Sequence, residues 1–223
     1  MLSTSRNMKS LLDSLKSKGV ITTQRVYDAM LKVDRGDFIN SSPYDDRPQY
    51  IDYNATISAP HMHAYALEYL VSYLKDNCKA LDVGSGSGYL TVAMSKMMND
   101  TGVVVGIEHI SGLFEIGQKN INKNHSDLVK QGKIVLVNGD GRKGYKDKAP
   151  YNAIHVGAAA EEVPTDLVDQ LANGGRMVIP VGKQKWEQQI CLIDKDMNGK
   201  VTCQKVLGVS YVPLTSVEKQ LGK

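Results

Sequence analysis

The sequence predicts an α/β protein of the Rossmann-like type, with a mostly parallel sheet, helices on both faces and a C-terminal antiparallel hairpin. From residue 79 onward, short apolar segments alternate with helical stretches, which is typical of parallel strands joined by crossover helices. After Val181 two strand-like segments are joined by Asp196-Met197-Asn198-Gly199, and Asn-Gly is a strong hairpin signal. A glycine-rich turn also follows the first of these strands, which is where Rossmann-like folds bind ligands.

The strand pattern covers the C-terminal two thirds of the chain. The predicted strands are Ala80–Val83, Val103–Glu108, Lys133–Val137, Asn152–Val156, Arg176–Val181, Gln188–Ile193 and Lys200–Gly208. The apolar character of the first five, with helical stretches between most of them, indicates strands that are buried on both faces.

The N-terminal third predicts helices instead. Apolar residues recur at helical spacing in two groups, Met8, Leu11, Leu12, Leu15 and Val26, Ala29, Met30, Val33, and Gly19 lies between them as a helix-ending residue. A third helix is expected near Ser58, with Ser58 as its N-cap and Pro60 in its first turn. Between them, residues 40–54 contain Pro43 and Pro48, which predict an ordered loop rather than a long helix.

Size and composition place the chain among ordinary globular proteins. It has 223 residues, is 42% hydrophobic and 23% charged, and carries a net charge of +3. We therefore expect a single domain over residues 1–223, with residues 1–77 forming a helical cover and substrate loop and residues 78–223 the Rossmann-like core. The absence of a leader pattern, of a long apolar run and of concentrated basic residues predicts a cytoplasmic protein that binds neither membranes nor nucleic acid. The lack of any extra apolar stripe predicts a monomer.

The segment Leu81-Asp82-Val83-Gly84-Ser85-Gly86-Ser87-Gly88 predicts a nucleoside site. Glycines at this turn allow positive φ and let the backbone approach a ligand closely. Glu108 ends the next strand, where an acid can accept both ribose hydroxyls, and Asp140-Gly141 follows the third strand, where an adenine would lie. Singly each acid has an ordinary structural explanation, but together they converge at the carboxyl ends of three parallel strands.

The spacing GxGxG differs from the GxGxxG of dinucleotide binders, which makes NAD the weaker interpretation. NAD also needs a helix N-terminus for its pyrophosphate, whereas S-adenosylmethionine (AdoMet) has an α-ammonium that an acid near the loop can hold. Asp82 is placed either for that role or for ordering the loop. The fold class is therefore predicted to be that of class I AdoMet-dependent methyltransferases, with Asp82, Gly84, Ser85, Gly86, Glu108, Asp140 and Gly141 at the cofactor.

The region after the fourth strand narrows the choice of methyl acceptor. His155-Val156-Gly157-Ala158-Ala159-Ala160 lacks the Asn/Asp-Pro-Pro-aromatic motif of DNA amino-methylating enzymes, a cysteine nucleophile after proline, and the clustered carboxylates of metal-dependent catechol enzymes. It leaves a small apolar floor, which is explained equally well by tight packing. His61 and His63 are two residues apart on a helix and do not share a face, so no metal site is expected.

Several segments together resemble the protein-L-isoaspartate (D-aspartate) O-methyltransferase family. They are Thr56-Ile57-Ser58-Ala59-Pro60-His61-Met62-His63-Ala64, the glycine loop, Gly139-Asp140-Gly141, Ala153–Ala159 and Val212-Pro213-Leu214-Thr215. The first block is highly specific, because AdoMet enzymes in general do not share it. The resemblance implies methyl transfer from AdoMet, leaving S-adenosylhomocysteine, to the free α-carboxylate of L-isoaspartyl residues in damaged proteins and peptides, with D-aspartyl residues as a further substrate. The ester then closes to a succinimide, which begins repair.

The resemblance also implies roles for individual residues. Ser58 corresponds to the active-site serine, and the residues implied at the cofactor or its neighbouring substrate are Ala55, Thr56, Ile57, Ser58, His63, Glu108, His109, Asp140, Gly141, Thr215 and Gln220. The rings of His109 and His155 are nevertheless interpreted as structural. Thr215-Ser216-Val217-Glu218 has the spacing of a capping box that starts a short helix, and Thr215 and Gln220 are expected to close over the cofactor.

Two departures from the family pattern affect the expected substrate site. Asp52 and Asn54 stand in a stretch where the family usually has glycine, so Asp52 is expected to place a negative charge near an anionic substrate. Lys143, Lys146 and Lys148 lie near the predicted mouth and either offset that charge or are ordinary surface residues. The alternatives to isoaspartyl methylation are transfer to another carboxylate or to RNA, and a module that senses AdoMet without transferring its methyl group.

Overall fold

The computed structural model describes residues 5–183 and 187–222, so the first four residues of the N-terminus, which bear on the expected absence of a leader, lie outside it. The helices are α1 (Met8–Ser17), α2 (Gln24–Leu31), α3 (Pro60–Leu70), α4 (Tyr89–Met97), α5 (Ser111–Asn124), α6 (Ser126–Lys130), α7 (Thr165–Asp169) and α8 (Val217–Leu221). The strands are β1 (Gln49–Tyr50), β2 (Thr56–Ile57), β3 (Lys79–Val83), β4 (Val103–Glu108), β5 (Ile134–Asn138), β6 (Tyr151–Val156), β7 (Leu171–Val181), β8 (Gln189–Lys195) and β9 (Val201–Gly208). Short 3₁₀ turns lie at Arg35–Asp37, Gly141–Lys143 and Lys146–Lys148.

The central sheet has seven strands in the order β5-β4-β3-β6-β7-β8-β9. The pairs from β5 to β7 are parallel, whereas β7–β8 and β8–β9 are antiparallel. This confirms the predicted α/β class and the C-terminal hairpin. The strand order reverses beside β3, so β4 and β6 flank β3 and open a crevice at its carboxyl end.

Alternate residues of each buried strand face two separate apolar clusters. Ala80 and Val104 join the cluster that includes side chains of α1 to α6, whereas Leu81 and Val105 join the cluster that includes Leu167 of α7. This division follows from the two-residue period of a strand. The helices therefore cover both faces, with most of them on the face of Ala80.

The carboxylate of Glu68 in α3 binds the start of α2. Glu68 accepts hydrogen bonds from the backbone N–H groups of Thr22 and Thr23, both at 2.8 Å, and from both threonine hydroxyls. These bonds satisfy donors at the start of α2, which the Thr23 side chain itself does not cap. As predicted, Gly19 ends the first helix, with φ of +70°.

Two predicted helix caps are wrong by one residue. Helix α3 begins at Pro60 with Ala59 in the N-cap position, so Ser58 lies outside the helix and does not cap it. Proline suits the first helical position because its missing N–H would have had no partner within the helix. Ser216 rather than Thr215 caps α8, accepting from the backbone of Lys219. Among the described residues, no helix has both the length and the apolar character to cross a bilayer.

Candidate cofactor and acceptor site

The glycine loop connects β3 to α4 through backbone conformations that favour glycine. Gly84, Gly86 and Gly88 have φ of +76°, +48° and +87°. The N–H groups of Gly84 and Ser85 donate to the carbonyl of Ile107 at 2.9 and 3.1 Å, which joins the loop to β4. On its other side a Cβ on Gly117 would lie 2.6 Å from the Gly86 carbonyl oxygen, so α5 packs directly on the loop. The loop is held between a strand and a helix.

Glu108 uses both carboxylate oxygens to hold the crevice together. One oxygen accepts the N–H of Gly86 at 3.1 Å and the other accepts the N–H of Ile110 at 3.0 Å. Glu108 is only 4% exposed but lines a cavity at the carboxyl ends of β3 and β4, here called the cofactor cavity. A carboxylate has about four acceptor positions, so two remain for the hydroxyls of a ribose.

Asp82 lies beside the loop but does not face the cavity. Its Oδ2 accepts the hydroxyl of Thr91 at 2.6 Å, and its Oδ1 lies 2.8 Å from Nδ1 of His155. With 1% exposure and both oxygens occupied, Asp82 is placed to order the loop rather than to hold an ammonium group. His155 is buried in this arrangement, in agreement with a structural role.

The cavity at the carboxyl ends of β3 and β4 brings together many of the residues predicted at the cofactor. Its lining includes Ala55, Thr56, Gly84, Gly86, Glu108, His109, Gly141 and Gln220. The predicted residues that do not line it are Ile57, Ser58, His63, Asp82, Ser85, Asp140 and Thr215. Ile57, for example, is 3% exposed and belongs to the apolar core.

Asp140 and His109 were both expected at the cofactor, and their surroundings differ. Asp140 caps the turn Gly141–Lys143 and pairs with Arg142 at 2.8 Å, and the bonds from Arg142 hold the pKa of this carboxyl below its usual range. Asp140 does not line the cavity, whereas the next residue, Gly141, does. His109 Nε2 is buried and has no hydrogen-bond partner within the described residues, so it is available to a polar ligand.

The cavity is covered by a contact between residues 52–54 and α8. The Asn54 amide donates to the Gln220 carbonyl at 2.9 Å, and the Gln220 amide donates to the Tyr53 carbonyl at 3.0 Å. Asp52, Tyr53 and Asn54 have φ of +79°, +51° and +57°, a strained left-handed turn at the position where the family usually has glycine. Gln220 therefore lies where closure over the cofactor was expected, whereas Thr215 does not line the cavity.

A second cavity of about 400 Å³ adjoins the first. The two share Thr56, Gly157 and Val212, and the larger one is also lined by Ser58, His61 and Tyr211, among others. Burial raises the pKa of Tyr211 to about 12, against an opposing hydrogen bond with Ser58, so the phenol keeps its proton at neutral pH. Two neutral hydroxyl groups thus face one cavity.

The apolar run after β6 serves both packing and the cavities. Ala159 bridges to Pro213, and Ala160 bridges to Val181. Gly157 and Ala158 line the cofactor cavity. Packing therefore accounts for Ala159 and Ala160, and a substrate role for Gly157 and Ala158 stays a prediction.

Some residues of this region escaped the sequence analysis. His61, expected only to lack a metal, binds Asp46 through its backbone N–H at 3.0 Å and its ring Nδ1 at 2.7 Å. Burial alone would raise the pKa of Asp46, but the bonds with His61 outweigh it and hold the pKa below its usual range. Arg35, fully buried behind Ser58, donates to the Ser58 carbonyl at 2.7 Å. Their partners lie far away in the sequence, so no local pattern marks them.

The charged residues near the predicted mouth lie elsewhere. Asp52 lines a separate surface cavity that also includes Lys119, and it does not line the cavity of Ser58. Its negative charge therefore lies away from the cavity where it was expected. Lys146 pairs with Asp166 at 3.3 Å. Lys143 and Lys148 line neither of the two adjoining cavities. Within the residues that the structure describes, no group of three or more His, Cys, Asp or Glu side chains could hold a metal ion.

The sheet order, the positive-φ glycine loop and the acid at the end of β4 define a class I AdoMet-dependent methyltransferase fold. The protein family model described as protein-L-isoaspartate(D-aspartate) O-methyltransferase matches residues 6–219. The chain belongs to this family.

Individual relatives agree with this membership. The chain is 56% identical to a protein-L-isoaspartate O-methyltransferase of Caenorhabditis elegans over 94% of this chain and 93% of that one. It is 47% identical to protein-L-isoaspartate O-methyltransferase 1 of Arabidopsis thaliana over 96% and 93% of the two chains. A Plasmodium falciparum protein assigned to the same activity, crystallised with S-adenosyl-L-homocysteine, superposes with a TM-score of 0.89 at 39% identity, over 94% of this chain and 99% of that chain.

Proposed function

We propose that this chain transfers the methyl group of AdoMet to the free α-carboxylate of L-isoaspartyl residues in proteins and peptides, which starts their repair through a succinimide. The observation that carries the proposal is the junction of the two cavities at Thr56, Gly157 and Val212. One cavity has the glycine loop and Glu108, and the other has Ser58 and Tyr211. A donor and an acceptor bound on either side would meet at this boundary.

The residues of the first cavity fit AdoMet. Glu108 has acceptor positions left for ribose hydroxyls, His109 Nε2 is an unpaired buried polar atom, and Gly141 leaves room because a Cβ there would lie 2.6 Å from Val83. When bound, AdoMet supplies an electrophilic methyl group on a sulfonium. The remaining proposed cofactor residues that line this cavity are Ala55, Thr56, Gly84, Gly86 and Gln220. The others lie outside its lining and are proposed to support it, namely Ile57, Ser58, His63, Asp82, Ser85, Asp140 and Thr215.

The second cavity suits an acceptor that is already ionised. An α-carboxyl has an ordinary pKa of about 3.5, so its oxygen is a nucleophile at neutral pH without a base. Ser58 then acts by donating a hydrogen bond that positions the carboxylate, a contact worth about 1.5–3 kcal/mol. Alignment of the reacting atoms is worth about 7–11 kcal/mol in favourable cases, so orientation is the larger effect.

The test uses labelled AdoMet with an isoaspartyl peptide and its aspartyl twin. Base-labile label on the isoaspartyl peptide alone is the expected result, and label on RNA or binding without transfer would contradict the proposal. Ser58→Ala should lower turnover at saturating AdoMet by about tenfold or more, in line with the loss of one hydrogen bond to a charged group. Ser72→Ala, at an exposed position just past α3, is the matched control and should leave turnover unchanged.

The proposal includes the state of the protein in the cell. We propose a single-domain, cytosolic monomer that acts on isoaspartyl polypeptides without nucleic acid, membrane or metal, with D-aspartyl residues as a second substrate to assay. Limited proteolysis between residues 77 and 78 tests the single domain, cell fractionation tests the cytosolic location, and sedimentation equilibrium tests the monomer. A metal-dependent activity that chelators abolish would contradict the fourth.

A further inference from the structure

Arg35 is a buried cation without a carboxylate partner. It lies in the 3₁₀ turn after α2 and is 0% exposed. Its Nη2 donates to the Ser58 carbonyl at 2.7 Å, its Nη1 lies 3.2 Å from Nδ1 of His63, and its guanidinium lies over the Tyr89 ring at 5.5 Å. Within the described residues its Nε has no hydrogen-bond partner and no acidic side chain pairs with it.

The charge of Arg35 is retained despite this burial. Burial lowers its pKa to about 10, which still leaves the guanidinium protonated at neutral pH. Because a guanidinium only donates, His63 Nδ1 must accept, and the His63 ring is neutral. Burial and the adjacent Arg35 charge lower the pKa of His63 well below its usual value, which agrees with that assignment. Asp46, the acid whose charge opposes the lowering of the Arg35 pKa, is itself bound to His61.

Arg176 shows how a comparable arginine is built elsewhere in the chain. It lies over the Tyr73 ring at 4.8 Å and donates to the Tyr69 carbonyl at 3.2 Å, but it also pairs with both oxygens of Asp194 at 2.6 and 2.8 Å. Arg35 has the aromatic ring and the carbonyl without the carboxylate. A buried charge that is left unpaired is costly, and such costs are usually tolerated at functional sites.

We propose that Arg35 is a positioning residue for the acceptor, which fixes the Ser58 backbone by its hydrogen bond and directs uncompensated positive charge through Ser58 toward the bound carboxylate. This inference rests on the proposed function, because it takes the acceptor to be an anion in the cavity of Ser58. It predicts that the enzyme prefers a carboxylate over its neutral carboxamide, and that Arg35 supplies part of this preference.

The test compares how tightly two peptides bind in the acceptor cavity, measured as inhibition of the methylation of a labelled acceptor. One is an isoaspartyl peptide, and the other is its twin with the α-carboxylate replaced by a carboxamide. Arg35→Met keeps the apolar stem and removes the charge, and it should reduce the carboxylate-over-amide preference about tenfold, equivalent to about 1.4 kcal/mol. Arg35→Lys should retain most of the preference. The acceptor KM should rise in Arg35→Met, whereas the affinity for S-adenosylhomocysteine stays within twofold of wild type and shows that the site is folded.

Arg176→Met is the matched control, since it lowers the unfolding temperature but leaves the preference unchanged. A wild-type preference in Arg35→Met would overturn the inference. If Arg35→Met does not fold, the carboxylate-over-amide preference of the wild-type protein is measured in 1 M NaCl instead. Salt screens a buried charge far less than a surface charge, so a preference that comes from Arg35 should persist. Loss of the preference at that salt would overturn the inference. If the wild-type protein fails to methylate the isoaspartyl peptide at all, the proposed function itself fails.

Discussion

Replacing Glu108 with glutamine should weaken cofactor binding more than any other single conservative change in the first cavity. The two carboxylate oxygens each accept one backbone N–H, from Gly86 and from Ile110. Glutamine has one acceptor oxygen, so its amide must face one of these donors, and an unsatisfied buried donor costs about 1–3 kcal/mol of folding stability. The change also removes a charged acceptor from a ribose hydroxyl, worth about 1.5–3 kcal/mol, which corresponds to about 10- to 150-fold in affinity.

Titration calorimetry with S-adenosylhomocysteine measures the affinity, and urea unfolding measures the stability. Glu68→Gln is the matched control, because Glu68 also accepts two backbone N–H groups but lies away from the cavity. Its two N–H donors share one oxygen, which an amide oxygen can replace, and the variant should keep the wild-type affinity. If Glu108→Gln lost stability yet bound S-adenosylhomocysteine as tightly as wild type, the assignment of Glu108 to the ribose would be refuted.

Three further predictions concern the surroundings of the site. Gly117→Ala places a Cβ 2.6 Å from the Gly86 carbonyl and should weaken S-adenosylhomocysteine binding more than fivefold, although it gains about 1 kcal/mol of helix propensity. Asn122→Ala, at an exposed position on the same helix, should bind S-adenosylhomocysteine with wild-type affinity in the same calorimetry. The pKa of His63 in the folded protein lies well below its unfolded value of 6.5, so the stability that the neutral ring contributes is present above pH 6.5 and is lost as pH falls, by up to about 1.4 kcal/mol per pH unit. Urea unfolding between pH 6.5 and 5.5 should show a smaller loss of stability for His63→Gln than for wild type, and an equal loss would contradict this role of His63. For an ionised acceptor, kcat should be constant between pH 6 and 8 and His61→Gln should keep that flat profile, whereas a tenfold fall per pH unit would indicate a required base.

The sheet could be predicted closely because its signals are local. Five buried apolar segments and an Asn-Gly turn define strands whose ends differ from the structure by one or two residues in most cases. The exception is β7, which begins at Leu171 rather than at Arg176. Asn173, Gly174 and Gly175 have the composition of a turn, yet pairing of Tyr151 with Leu171 extends the strand across an irregularity in register. Tertiary pairing overrides local composition there.

The cofactor side of the site is more predictable than the acceptor side because its signals are local in the sequence. Gly84 and Gly86 are marked by their own backbone requirements, and Glu108 by its position at the end of a strand. Arg35 acts on Ser58, 23 residues away, through a hydrogen bond that no periodicity reveals. Ser58 itself was expected to cap α3, but Pro60 takes the first helical position and leaves Ala59 as the N-cap.

The histidines around the site indicate why an already ionised acceptor suits it. His63 is neutral, but its Nδ1 is occupied by Arg35. His155 is buried against Asp82. His61 lines the acceptor cavity, but its Nδ1 is occupied by Asp46 at 2.7 Å. With Arg35 bound to the Ser58 carbonyl, the acceptor cavity has a cation directly behind it and no carboxylate among its described lining residues. Such a cavity stabilises a carboxylate that needs only to be aligned, and it disfavours an acceptor that must first lose a proton.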